Sequence, residues 1–178
     1  CHHKGMIIET NKPLPWCARC GTSLSDHVMA GSYHDVEHDV AFVKLPLIDK
    51  DCDILVWTTT PWTLAANVAL AVNPNLEYVK VKFSKDDKPL IMAATVFKNR
   101  FKKDNGEVVE TFKGFELENW RYETCFPNLP EQKKIKKHRI VLWDEVSEED
   151  GSGVVHIAPG CGAEDFELGQ SVGLDTIV

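Results

Sequence analysis

The sequence predicts a mainly β fold with a few helices (α+β), curled into a closed or nearly closed β-barrel. Short apolar, β-branched runs bounded by polar turns recur along the chain, as in Ile54-Leu55-Val56 and Val154-Val155-His156-Ile157. Others alternate strictly, as in Tyr78-Val79-Lys80-Val81-Lys82-Phe83, the pattern of a strand with one buried face. Only two stretches, Ala94 to Lys102 and Ala163 to Val172, have helical spacing. Many short strands with few helices are most simply accommodated by a sheet that closes on itself.

The first 22 residues read as a stalk. Within them Cys17-Ala18-Arg19-Cys20-Gly21 is a C-x-x-C-G knuckle, which offers two thiolates to a tetrahedral zinc. Two ligands make half a site, and Cys1, His2 or His3 could supply the rest. A turn carrying two reduced cysteines is the other reading, and the sequence leaves both open. Residues 23–178 form the globular part. Strands are expected at Val40 to Pro46, Asp53 to Thr58, Tyr78 to Phe83, Leu90 to Ala93, Glu107 to Phe112, Arg139 to Val146 and Val154 to Ile157. Ser84-Lys85-Asp86-Asp87-Lys88-Pro89 is the polar turn of a hairpin. The second helix places Glu164 and Asp165 in its first turn, where the helix dipole alone favours a carboxylate.

Composition narrows the function classes. A chain of 178 residues can bury one good core. No apolar run approaches the roughly 20 residues that span a bilayer, and no signal-peptide pattern opens the chain, so a cytoplasmic setting without a membrane partner is expected. The net charge of -7 argues against a broad basic surface for a nucleic acid duplex. The dense basic run Lys133-Lys134-Ile135-Lys136-Lys137-His138-Arg139 could meet a phosphate backbone locally, or be a solvated loop between strands. Six cysteines in a chain of this size and character do not make a disulfide framework.

Chemistry concentrates in two stretches. Trp57-Thr58-Thr59-Thr60-Pro61-Trp62-Thr63-Leu64, continuing to Asn67, delivers three threonines where a buried strand ends. Thr58 and Thr60 share one face by strand alternation, and Pro61 stops the ladder. Gly151-Ser152-Gly153-Val154-Val155-His156-Ile157-Ala158-Pro159-Gly160-Cys161-Gly162-Ala163-Glu164-Asp165 is the second. A cysteine hydrolase built on Cys161 and His156 can be drawn from it, but the two are five residues apart around a Pro-Gly turn.

These two stretches resemble the editing domain of class I aminoacyl-tRNA synthetases, most closely the isoleucyl branch. The family pattern W-T-T-T-P-W-T-L-x-A-N is met from Trp57 to Asn67 and G-x-G-x-V-H-x-A-P-G-x-G-x-x-D from Gly151 to Asp165. Leucyl and valyl relatives usually carry arginine where this chain has Thr60, and an acidic residue where it has Trp62. Ala65 replaces a common proline and Cys161 a common histidine. The resemblance covers nearly the whole chain and implies hydrolysis of valine from mischarged tRNA(Ile) and from valyl-adenylate. It implies that Asp165 holds the α-ammonium, that His156 limits side-chain size, and that Thr58, Thr59 and Thr60 position the terminal nucleotide and the attacking water. Asn67 joins the same pocket, Trp57 and Trp62 stack on adenine, and Glu164 points elsewhere. Core packing is the alternative for at least one tryptophan, and a general base the alternative for His156. Editing needs no cofactor. Zinc at Cys17 and Cys20 would be completed by residues outside the fragment, and ATP belongs to the parent enzyme only, since neither H-I-G-H nor K-M-S-K-S occurs here. Expected partners are the tRNA(Ile) acceptor end, valine or valyl-adenylate, and the rest of the synthetase, with the excised fragment itself a monomer. The rival readings are a non-catalytic acceptor-end binding module using the Lys133 region, and an editing domain of valyl or leucyl type.

Overall fold

A computed structural model describes residues 2–7, 11–37, 39–84, 88–101, 105–149 and 151–177. Two short strands, β1 (Trp16–Cys17) and β2 (Thr22–Ser23), pair antiparallel to make the knuckle, and α1 (Asp26–Met29) follows. The knuckle hairpin therefore runs one residue past the stalk limit at residue 22, with Ser23 opposite Trp16. Cys1 and the side chain of His2, considered above as metal ligands, lie outside what is described.

The remaining strands form one eight-stranded sheet. They are β3 (Ala41–Pro46), β4 (Asp53–Thr58), β5 (Ala69–Val72), β6 (Glu77–Lys82), β7 (Leu90–Ala93), β8 (Glu107–Lys113), β9 (Arg139–Leu142) and β10 (Val154–Ile157). Strand β4 is the hub. One edge carries β3 along its whole length, from Ala41 opposite Thr58 to Pro46 opposite Asp53. The other edge forks: Asp53 and Ile54 pair with β7, while Trp57 pairs with Val155 of β10. Ala93 N–H donates to Ser152 O at 3.0 Å and bridges the fork. Consecutive Ile54, Leu55 and Val56 are all buried, as a strand covered on both faces requires. Burying each such side chain contributes about 1.5–3 kcal/mol.

The barrel is open, which corrects the closed form expected from the strand count. Strand β8 ends one side of the sheet, and β9 pairs with β5 on the other. Among the described residues, isolated bridges, Leu47 to Tyr122 and Arg121 to Arg139, rather than a continuous strand lace the end of β3 to β9. The linking segment Asn119 to Glu123 reaches both sides by single hydrogen bonds, with Tyr122 N–H on His138 O and Glu123 N–H on Pro46 O, and adds no strand of its own between them. The result is a curled half-barrel.

Most expected elements are present. The β6–β7 hairpin forms, although Lys85, Asp86 and Asp87 of its turn lie outside the described residues. The first predicted helix is shorter and irregular: α2 (Ala94–Val96) runs into a π turn at Phe97–Phe101, where Phe97 and Phe101 meet Phe83 edge-on. Lys102, its predicted end, is not described. Strand β9 stops at Leu142 rather than Val146, because the Asn73 amide draws the carbonyls of Asp144 and Val146 into a turn. Helix α3 (Ala163–Val172) has the predicted bounds, with left-handed Gly173 (φ 68°) at its C-terminal cap. Strand β5 and the 3-10 helix at Pro61–Ala66 have no counterpart in the sequence reading. Among the described residues, no helix is long and apolar enough to cross a membrane.

Candidate functional site

The parallel register that sets Val155 beside Trp57 brings the two motifs, almost a hundred residues apart, to neighbouring strand ends. A cleft of about 530 Å3 opens there, lined by Trp57 to Thr60, Trp62, Thr63, Val155, His156 and Cys161 to Asp165. Thr58, Thr59, Thr60, Trp57, Trp62, His156 and Asp165 are thus brought together as expected.

The threonines form a hydrogen-bonded chain. Thr58 Oγ1 accepts the Thr60 backbone N–H at 3.0 Å and lies 3.4 Å from Thr60 Oγ1. Pro61 opens the 3-10 helix, in which side chains three apart eclipse, so Thr63 stacks on Thr60 with the hydroxyls 3.1 Å apart. Thr63 Oγ1 donates to Thr60 O at 2.7 Å and stands 3.0 Å from His156 Nε2. That hydroxyl has one proton; when the 2.7 Å contact to the carbonyl holds it, His156 Nε2–H is the donor in the last contact, which corresponds to the Nε2–H tautomer. Thr63 was missed as a site residue although it stood in the quoted motif; its spacing of three from Thr60 was the available signal.

His156 is 6% exposed, and burial pushes its pKa down to about 4. It is neutral near pH 7, and its Nδ1 is buried with no hydrogen-bond partner among the described residues. A nitrogen both shielded and weakly basic is poorly suited to abstract a proton from water in the cleft.

Asp165, in the first turn of α3, accepts the Ala158 N–H on Oδ2 at 2.8 Å. Burial raises its pKa above the usual carboxylate range; the Ala158 hydrogen bond opposes this and neighbouring Glu164 adds to it. With Oδ2 anchored, the rest of the carboxylate is available to a cation. Glu164 also reaches the cleft, contrary to the expectation that it points elsewhere, but it is exposed. Burial and the Ala158 anchor distinguish the two carboxylates.

Asn67 is the one expected pocket residue that the fold puts to other use. It is 2% exposed and absent from the cleft lining. Nδ2 donates to Ala69 O at 2.8 Å and Oδ1 accepts the Tyr122 hydroxyl at 2.6 Å, so the amide supports the chain leaving the 3-10 helix. The tryptophans divide differently. Trp57 is half-buried and packs on Gly151, where a Cβ would lie 2.5 Å from the indole; only glycine, here at φ 74°, fits. Trp62 is 70% exposed at the cleft rim, free to stack on a planar ligand.

Burial and Asp165 raise the Cys161 thiol pKa, and Thr63 already occupies the Nε2 of His156. Neither condition for an activated thiolate is met. At the knuckle, the Cys20 N–H donates to Cys17 Sγ at 3.3 Å and lowers the Cys17 pKa, an environment that suits a thiolate ligand. The pair remains half a ligand set, and among the described residues no cluster of three or more His, Cys, Asp or Glu could hold a metal ion.

No family model matches the chain. Over 182 residues it is 42% identical to the isoleucine–tRNA ligase of Thermococcus kodakarensis, covering 96% of this chain and 17% of that protein. Identity is 39% over 177 residues to the isoleucine–tRNA ligase of Methanothermobacter thermautotrophicus (99% and 16% covered). It is 41% over 175 residues to isoleucine–tRNA ligase 2 of Bacillus cereus (97% and 16%). The chain thus spans about a sixth of the length of these relatives. Among solved structures, the crystal structure of GlLeuRS-CP1 matches with a TM-score of 0.64 at 14% identity, over 75% of this chain and 60% of that one. The P. knowlesi cytosolic leucyl-tRNA synthetase editing domain matches with a TM-score of 0.58 at 14% identity, over 75% and 62%. The last two show a shared fold.

Proposed function

Because the chain belongs to the isoleucine–tRNA ligase family, we propose that it is the editing domain of such an enzyme, hydrolysing valine from Val-tRNA(Ile) and from valyl-adenylate. The observation that carries this reading is the shared cleft, in which an anchored, half-buried Asp165 faces the same space as the chain Thr58, Thr60, Thr63 and His156. The former suits an α-ammonium and the latter a ribose and a polarised carbonyl.

A synthetic pocket built for isoleucine cannot strongly reject a side chain one methylene smaller, since that difference is worth only about 1–3 kcal/mol; the isoleucyl enzyme is itself the standard illustration of this limit. In the editing reaction, water adds to the ester carbonyl, the bond to the ribose oxygen breaks, and that oxygen takes a proton, releasing valine. Asp165 fixes the ammonium and thereby the carbonyl. Neutral hydroxyl donors meet the charge that develops on the carbonyl oxygen. His156, held by Thr63 in one orientation, forms a fixed wall against the amino acid side chain, and Trp62 at the rim receives the terminal adenine. In the parent enzyme the ligation itself, with ATP, belongs to the rest of the polypeptide. Zinc at Cys17 and Cys20 would take its remaining ligands from there too and serve structure rather than hydrolysis. The setting is cytoplasmic.

The test is release of valine from Val-tRNA(Ile) beside Ile-tRNA(Ile). Loss of valine alone is expected, and His156→Ala should extend hydrolysis to isoleucine. Equal loss of both amino acids from the unaltered protein would overturn the proposed sieve. Hydrolysis unaffected by changes at Asp165 would overturn the site.

A further inference from the structure

The basic segment 133–139, by its sequence a solvated loop or a phosphate contact, is tied to the cleft. It lies along residues 65–69, the stretch that leaves the 3-10 helix bearing Trp62 and Thr63. Gln132 immediately precedes it and is 3% exposed. Its Nε2 donates to Ala65 O at 2.8 Å and to Asn67 O at 2.9 Å, meeting two carbonyls that a helix C-terminus leaves without intrahelical partners. Gln132 also opens a 3-10 turn whose next residues are the exposed Lys133 and Lys134. At the far end, the His138 ring lies 5.6 Å from the ring of Tyr122, whose hydroxyl holds Asn67 Oδ1. Between them Ile135 packs on the cluster containing Val68 and Ile157, and Arg139 pairs with Ala69. Both ends of the basic segment therefore grip the same few residues beneath the threonine helix.

We infer that Gln132 is a positioning residue that couples docking of a nucleic acid backbone on Lys133 to Lys137 to the placement of Thr63 and Trp62 in the cleft. This rests on the reading of the chain as an acceptor-end editing domain. A polyanion lying on the lysines restrains the turn that carries them. Lys134 is held by Glu131 at 2.6 Å, an exposed pair worth less than about 1 kcal/mol that a phosphate can displace. Because Gln132 uses both amide protons on the far side of that turn, the restraint passes directly to the carbonyls of Ala65 and Asn67. Ordering one element then lowers the cost of ordering the other.

The probe is an RNA hairpin that carries no amino acid, with an acceptor stem and a single-stranded CCA end. The readout is amide exchange at Thr63 and Asn67, whose N–H groups donate to Thr60 O and Leu64 O within the 3-10 helix. Bound RNA should slow both in the unaltered chain. Gln132→Met, similar in length but unable to donate, should bind RNA equally well yet lose that protection. With Val-tRNA(Ile) it should lower kcat about tenfold, roughly the loss of one or two hydrogen bonds, with KM unchanged. Lys133→Ala with Lys134→Ala changes only exposed side chains, so the fold stands; it too should abolish the RNA-induced protection. Equal protection in Gln132→Met and the unaltered chain, or no RNA binding at the lysines, would overturn the coupling. Intact coupling without any hydrolysis would instead count against the editing reading alone.

Discussion

Replacing Asp165 by asparagine separates the chemistry of the cleft from its architecture. The carboxylate does two things: Oδ2 accepts the buried Ala158 N–H at 2.8 Å, and the charge awaits an ammonium. Asparagine keeps a carbonyl oxygen for Ala158 and removes only the charge. A hydrogen bond to a charged group is worth about 1.5–3 kcal/mol, so kcat/KM for Val-tRNA(Ile) should fall about 10- to 150-fold. Stability should not fall. Burial raises the Asp165 pKa, so ionising it costs the folded state as pH rises through that raised value, and asparagine removes the cost. Asp165→Ala should lose the same activity and in addition about 1–3 kcal/mol of stability, because the Ala158 N–H is left unpaired. Glu164→Gln, an exposed control, should change little. The assay is single-turnover valine release, with thermal unfolding of each variant alongside. Full activity in Asp165→Asn would refute the ammonium role, and a melting temperature as low as that of the alanine variant would refute the division of labour. In the unaltered protein the acid limb of hydrolysis should lie above the ordinary carboxylate range and vanish in Asp165→Asn.

Thr63→Val leaves the His156 Nε2–H without its acceptor and should cost about 1–3 kcal/mol as well as activity, while Thr63→Ser should retain most of both on the same assays. The His156 pKa is lowered from 6.5 to about 4, so the unfolded chain binds more protons between those values and stability rises with pH across that window. The full difference is about 3 kcal/mol, the half-buried His138 ring acts in the same direction, and urea unfolding of His156→Gln from pH 4 to 7 should show a flatter profile. Gly151→Ala puts a Cβ 2.5 Å from the Trp57 indole at a left-handed φ of 74°. It should cost about 1–2 kcal/mol or more and shift Trp57 fluorescence; an unchanged spectrum would mean that Gly151 does not seat the indole.

The sequence by itself located the two polar stretches that meet at the cleft and most of the strands. Three threonines before Pro-Trp, and a histidine and an aspartate at fixed spacing around a Pro-Gly loop, are local patterns, legible because strand alternation and helix caps act over a few residues. The bounds of β4, β7, β10 and α3 follow from the same short-range rules. Strand β5 was not legible, since Ala69-Leu70-Ala71-Val72 carries little strand preference and is extended by pairing with β10 and β9 on either side. The opening of the barrel was not legible either, because pairing between segments far apart in sequence leaves no local signal. The role of Asn67 was decided by tertiary contact: a buried amide needs partners, and the fold supplies Tyr122 and Ala69 rather than a ligand. Motif spacing names residues that lie near one another, but which of them faces the cleft depends on where distant strands place its polar atoms, and only the folded chain settles that.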